Sequence, residues 1–251
     1  MHNWQLRTEL LIGKENIELL GSKHVLTVGL GGVGGACAEM IARSGIGKLT
    51  LVDADVVEAS NKNRQLPALS STDGMSKVEV MAQRLTDINP QISIHQEKIF
   101  IDPENIYPLL EKYNPDYVLD CIDTLSPKVE LIIACTQKNI PFASALGAGG
   151  MLDPLDIRID DLFKSRHCRL AFYVRKRLKR RGFKPSFPVV YSYEKADLSK
   201  VILNPKGSTK RSTIGTISYM PNLFGCTLAS VAIRQLLNIE IIYSSDRIEK
   251  K

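Results

Sequence analysis

The 251-residue chain is short of several things at once. It has no apolar run near the roughly 20 residues that a membrane-spanning helix needs. Its opening stretch, "MHNWQLRTELLIGKENIELL", scatters charges among the apolar positions, so no signal-peptide core is expected there. The five cysteines, Cys37, Cys121, Cys135, Cys168 and Cys226, are odd in number, dispersed and free of any C-x-x-C pair. That spacing argues against a disulfide framework and against a zinc ribbon, and fits a reducing, cytoplasmic setting. His2, His24, His95 and His167 share no metal-ligand spacing. Internal repeats and low-complexity linkers are absent. Composition gives no sign of disorder, with 44% hydrophobic and 24% charged residues.

Acidic residues are missing from one region in particular. None lies between Asp161 and Glu194, while ten Lys/Arg fall between Lys164 and Lys184. Without those ten, the 33 basic residues drop to 23 against 27 acidic ones, so the +6 net charge is one local feature. Phe163, Phe172, Tyr173, Phe183, Phe187, Tyr191 and Tyr193 are interleaved with the cations. Such a field suits a phosphodiester backbone, and exposed aromatics suit stacking of unpaired bases. A solvated basic helix over core aromatics is the plain alternative.

Apolar runs at 24–30, 49–53, 92–96, 117–121 and 142–145 alternate with helical patterns near 33–44, 75–88, 103–112 and 126–138. Continuous apolar strands alternating with helices indicate an α/β chain with a parallel sheet covered on both faces. An amphipathic helix is expected over 5–20. In the second half, 151–159 and 187–193 read as strands and 169–182 as a helix. Residues 212–220 could return to the sheet, and 221–237 close as a helix with Pro221 in its first turn.

The stretch "VGLGGVGG", residues 28–35, fits a phosphate cradle. Gly29, Gly31 and Gly34 make G-x-G-x-x-G between a strand and a helix, with Gly32 as an additional glycine. Asp53 follows 19 residues after Gly34, where a carboxylate accepts from ribose hydroxyls. An NAD-dependent dehydrogenase fits this much equally well. A dinucleotide pyrophosphate, with about two negative charges, can be held by backbone amides alone. A nucleoside triphosphate, with about four, calls for cations and Mg²⁺. Arg64 and Lys77 are available cations, and Lys77 sits in the first turn of an expected helix, where a cation opposes the dipole. Asp123 falls just past the fourth strand, where it could hold Mg²⁺ or cap the next helix.

Together G-x-G-G-x-G, the acid after the second strand, S-N-x-N-R-Q, the later lysine and D-x-x-D resemble the E1-like (ThiF/MoeB) adenylating superfamily, over most of the first 150 residues. The resemblance implies a doubly wound, mostly parallel Rossmann-like sheet with a basic insertion in the second half. It implies a single domain over 1–251, with a nucleotide-binding half at 24–150 and a substrate half at 151–251. Nucleotide contacts carry over to Gly29, Gly31, Gly32, Gly34, Asp53, Asn61, Arg64, Gln65 and Lys77, and Mg²⁺ to Asp123. Arg64, Lys77 and Asp123 would carry the chemistry: attack of a carboxylate on the α-phosphate of ATP, giving an acyl-adenylate and pyrophosphate. Members usually form homodimers, and "LRTELLIG" resembles the segment whose arginine, here Arg7, reaches the partner's nucleotide.

The zinc-binding C-x-x-C pairs usual in activators of ubiquitin-like sulfur carriers are missing, and no cysteine is marked as a thioester former. "SALGAGGMLDP", "VVYSYEK" and "GTISYMPNLFGCTLASVAIRQLL" are instead similar to the tRNA threonylcarbamoyladenosine dehydratase branch (TcdA/CsdL-type), extending the match over nearly the whole chain. That branch implies tRNA as substrate, bound by segment 162–195, and a sulfur-acceptor protein as a possible partner. A carrier-protein activator, a non-catalytic nucleotide sensor and an NAD-linked oxidoreductase remain the competing readings.

Overall fold

Strands β1 (His24–Val28), β2 (Lys48–Val52), β3 (Ser93–Glu97), β4 (Tyr117–Asp120), β5 (Phe142–Ala145), β6 (Ile157–Asp161) and β7 (Pro188–Ser192) form one sheet in a computed structural model that describes residues 3–203 and 212–248. The order is β3-β2-β1-β4-β5-β7-β6, and every pairing is parallel except that of β6 with β7. Helices α1 (Leu6–Ile12), α2 (Lys14–Ser22), α3 (Gly32–Arg43), α4 (Lys77–Ile88), α5 (Ile106–Tyr113), α6 (Leu125–Gln137), α7 (Arg169–Arg180) and α8 (Tyr219–Leu236) connect and cover it.

All five residues of β1 are buried, because helices cover both faces of the sheet. Val25 joins a core layer under α3, α4 and α8, and Leu26 and Val28 join the opposite layer under α5, α6 and α7. A strand buried on both sides must be apolar at every position, which is why these strands read as continuous runs. The edge strand β3, "SIHQE", is half exposed and correspondingly polar. At Gly225 the α8 backbone approaches α3 so closely that a Cβ would lie 2.3 Å from the Val33 carbonyl oxygen. This contact joins the chain's second half to the helix that follows the glycine turn.

Three expectations need correcting. The helix over 5–20 is two helices, broken at Gly13, whose φ of +85° has no place in a right-handed helix. The strand expected from 151 begins only at Ile157; Pro154 and an Asp153 side chain accepting from the Leu155 N–H (2.8 Å) form a tight turn before it. Residues 212–220 do not rejoin the sheet. Ser212–Ile214 (β9) pairs antiparallel with Val201–Leu203 (β8) as a separate ribbon. The open side of β5 is already taken by β7, and Ile214 instead covers Gly149 and Gly150, where added Cβ atoms would approach it to 2.4 and 2.8 Å.

Candidate active site

The strand order reverses its direction of growth between β1 and β4, so a crevice opens beyond their carboxyl ends. Gly29 leaves β1 with φ +88°, and a Cβ there would lie 3.0 Å from the Cys121 carbonyl oxygen beyond β4. Gly34 seats α3 on the turn, since its Cβ would come within 1.7 Å of the Gly29 oxygen. Gly31 differs: its Cβ would meet only the Gln65 side-chain amide, at 3.7 Å. Gly32 is pressed by Pro221, 2.8 Å from where its Cβ would be, and by the Arg64 carbonyl oxygen at 3.1 Å. Packing alone therefore demands glycine at 32.

Asp53 is fixed against this turn. Its Oδ2 accepts from the Leu30 N–H (2.6 Å) and its Oδ1 from the Asp55 N–H (2.8 Å). Burial pushes its carboxyl above the usual range, against the Lys77 charge and the two N–H groups, which pull it down. Lys77, the first residue of α4, is buried, and its ammonium lies 2.8 Å from Oδ2 of the exposed Asp55. Sequence reasoning missed Asp55, whose D-x-D spacing from Asp53 was the available signal.

The "SNKNRQ" stretch folds over the same turn. Asn61 is buried; its Oδ1 accepts from the Glu58 N–H (3.3 Å) and its amide donates to Ser60 Oγ (3.2 Å). The Arg64 guanidinium touches two neutral oxygens, the Ser60 carbonyl (3.1 Å) and Asn63 Oδ1 (2.8 Å). It makes no ion pair among the described residues. Gln65 is buried with Oε1 lacking a hydrogen-bond partner there. Asn222 at the start of α8 donates to the Arg64 carbonyl (3.2 Å), and its own buried Oδ1 also lacks a partner. A charged guanidinium without a carboxylate beside a glycine turn fits an anionic nucleotide.

Beyond β4, Asp123 is exposed in the 121–124 loop, and Thr124 occupies the cap position of α6. The loop is anchored by a buried cluster that sequence reasoning missed. Lys128 Nζ donates to Asp120 Oδ2 (2.6 Å), Ser144 Oγ (2.9 Å) and the Ala145 carbonyl (2.9 Å). Ser144 also donates to Asp120 Oδ2 (2.6 Å), and Asp120 Oδ1 accepts from the Ile122 N–H (3.1 Å). The lysine in "LDCIDTLSPK" was the signal. Asp123 supplies one carboxylate, and Mg²⁺ takes one or two and completes its shell with phosphate and water.

Gly29–Gly34, Asp53, Asn61–Gln65, Lys77 and the 121–123 loop thus meet at one edge. Arg7 does not join them within one chain. It is exposed on α1, whose neighbour Gln5 packs against Gly45, ahead of β2 at the amino edge of the sheet. Burial disfavours the thiolate at three of the five cysteines. Burial pushes Cys37, Cys135 and Cys226 above the ordinary thiol range. Cys168 is buried at the start of α7, and Cys121 is half-buried beyond β4.

The basic segment divides. Arg175 is structural: its Nη1 donates to the Leu162 carbonyl (3.0 Å), the Ser165 carbonyl (3.1 Å) and Ser165 Oγ (2.6 Å). Lys164 pairs with Asp246 and Arg181 with Glu130. Phe187 and Tyr191 are core residues, whereas Phe172, Tyr173 and Tyr193 are exposed.

A doubly wound α/β sheet with a glycine turn, an acid bonded to that turn and two cations at its switch point defines the class of nucleotide-binding α/β proteins. The sequence profile of the ThiF family matches residues 2–249, and the chain belongs to that family. It is 36% identical to the tRNA threonylcarbamoyladenosine dehydratase of Bacillus subtilis over 249 residues, covering 96% of this chain and 98% of that one. The structure is similar to the Escherichia coli tRNA N6-threonylcarbamoyladenosine dehydratase solved with ATP and with AMP. For each, the TM-score is 0.84 at 33% identity, covering 95% of this chain and 96% of that one. The Escherichia coli molybdopterin-synthase adenylyltransferase is 38% identical over 127 residues, about half of each chain (51% and 50%).

Proposed function

We propose that this protein is an ATP-dependent enzyme that dehydrates N6-threonylcarbamoyladenosine at position 37 of tRNA to its cyclic form. The observation that carries the reading is likeness across both halves, 95% of the chain, to a tRNA dehydratase solved with ATP and AMP. The likeness to the molybdopterin-synthase adenylyltransferase covers about half the chain. In this reading 1–251 act as one unit, with 24–150 holding the nucleotide and 151–251 the RNA.

Asp53, already oriented by two N–H groups, would accept from the ribose hydroxyls. Gly31 leaves room for phosphate at the start of α3, where N–H groups and the helix dipole favour an anion. Arg64 and Lys77 would hold the outer phosphates. Lys77 is the more rigid of the two, because burial and Asp55 fix its ammonium. Mg²⁺ at Asp123 would neutralise charge on the phosphate oxygens. The threonine carboxylate attacks the α-phosphorus; the α–β bond breaks and pyrophosphate leaves. The carbamoyl group then closes on the activated carbonyl and AMP leaves, so the net change in the nucleoside is loss of water. Cations fixed before the reaction stabilise the charge that moves onto pyrophosphate without reorganising.

The enzyme works as a homodimer in this reading, with Arg7 reaching the partner's nucleotide. The exposed Trp4, Leu6, Leu10 and Leu11 around Arg7 are apolar surface that a second copy would cover. A sulfur-acceptor protein partner rests on the resemblance alone and takes no residues here. A cytoplasmic setting follows from tRNA as substrate and agrees with five unpaired thiols.

The test is incubation with ATP, Mg²⁺ and fully modified tRNA, followed by mass analysis of nucleoside 37. Loss of water is expected. Pyrophosphate exchange that required a small carrier protein and ignored tRNA would replace this reading with the carrier-activating one.

A further inference from the structure

Arg169, Tyr173, Lys176, Arg177 and Arg180 recur on one face of α7, opposite the buried Ala171, Val174 and Leu178. With Leu125 from α6 they line a cavity of about 460 Å³, within the roughly 300–1,000 Å³ of small-ligand pockets. None of the four cations has a carboxylate partner among the described residues. Arg177 donates to the neutral Ser126 Oγ (2.6 Å), and Arg169 lies over the Tyr173 ring at 5.9 Å. The nearby Arg181 is neutralised by Glu130 and the more distant Lys164 by Asp246, so uncompensated charge is concentrated in the cavity. Four like charges around one concavity repel, and an anion filling it removes that cost.

Two further features narrow the anion. Tyr173 is 39% exposed, and Phe172 meets it edge-on at 5.3 Å, so an aromatic face stands among the cations. Leu125 is the first residue of α6, two positions after Asp123, so the cavity begins where the candidate active-site loop ends. A cationic wall with one stacking face is the pairing that holds single-stranded nucleic acid.

We infer that this cavity is a binding site for unpaired RNA next to the modified nucleotide, with phosphodiesters on Arg169, Lys176, Arg177 and Arg180 and one base stacked on Tyr173. The inference rests on the tRNA reading and sharpens it. Of ten cations that look alike in sequence, four face the RNA, while Arg175, Arg181 and Lys164 serve the fold.

The test measures binding of the full-length protein to t6A-bearing tRNA across a range of salt. The triple variant Arg169→Ala/Lys176→Ala/Arg180→Ala should lower the slope of log K against log salt by about 2, at about 0.7 per lost single-strand phosphate contact. Tyr173→Ala should weaken binding about tenfold or more with the slope unchanged, and Tyr173→Phe should restore it. Lys179→Ala/Lys184→Ala, whose ammonium groups lie over Phe163 outside the cavity, should change little. An unchanged melting temperature shows that each variant is folded. If the triple variant bound and dehydrated tRNA like wild type, the site would be wrong and the tRNA reading would stand. If wild type neither bound nor dehydrated tRNA, that reading would fall and take the inference with it. If the triple variant kept tRNA but lost retention of polyglutamate, the occupant would be an acidic protein and the RNA assignment overturned.

Discussion

Replacing Lys128 with methionine is the most exacting test of how the 121–124 loop is held. Lys128 and Asp120 are both completely buried, with Nζ 2.6 Å from Oδ2. The methionine fills much of the same space, so the change removes charge rather than volume. Asp120 keeps the Ser144 hydroxyl and the Ile122 N–H but loses its only cation among the described residues. An uncompensated buried charge costs about 3–5 kcal/mol. Against a total stability of about 5–15 kcal/mol, that is a large fraction. For a chain of this length it corresponds to a melting temperature lower by roughly 6–20 °C. Urea denaturation at neutral pH, extrapolated linearly, would measure it. Adding Asp120→Asn should return much of the loss, because the orphaned charge is then gone, and the coupling should exceed about 1 kcal/mol. A loss below about 1 kcal/mol for the single variant, or simple additivity in the double, would refute the claim that this pair anchors the 121–124 loop.

Three other expectations are open to direct measurement. Arg64→Ala should abolish AMP formation while leaving the fold intact, since the side chain touches only two neutral oxygens; AMP release at the wild-type rate would remove Arg64 from the phosphate site. Gly34→Ala should destabilise by about 3 kcal/mol or more in urea, because the 1.7 Å approach to the Gly29 oxygen involves backbone that cannot swing aside. Burial, aided by Lys48 and His95, holds the His24 imidazole at about 4 instead of 6.5. Between those values the unfolded chain binds the proton and the folded one does not, so stability should fall as pH drops through that window. The loss is at most about 3 kcal/mol and should vanish in His24→Gln, as urea titrations at pH 7 and pH 4.5 would show.

The parts of the molecule that follow local rules were readable in the chain. The glycine turn announces itself because Gly29 takes a positive φ and Gly34 tolerates no side chain. The strands read as apolar runs because helices cover both of their faces. What depended on distant partners was not readable. Asp55 looked like any loop acid until the fold brought Lys77 to it. Nothing local to Lys128 marks it as buried, but β4 and β5 close around it. Residues 212–220 had the composition of a strand, yet the place beside β5 was already filled.

The basic segment shows the division most clearly. The sequence alone determined that ten cations stand together without an acid, and therefore that this region carries a strong positive field. Only the tertiary structure decided that Arg175 turns inward to hold carbonyl groups, that Arg181 finds Glu130, and that four others share a cavity with Tyr173. Net charge adds up along a chain whatever its shape, whereas the partner of each charge is set by distances of a few ångströms, which exist only after folding.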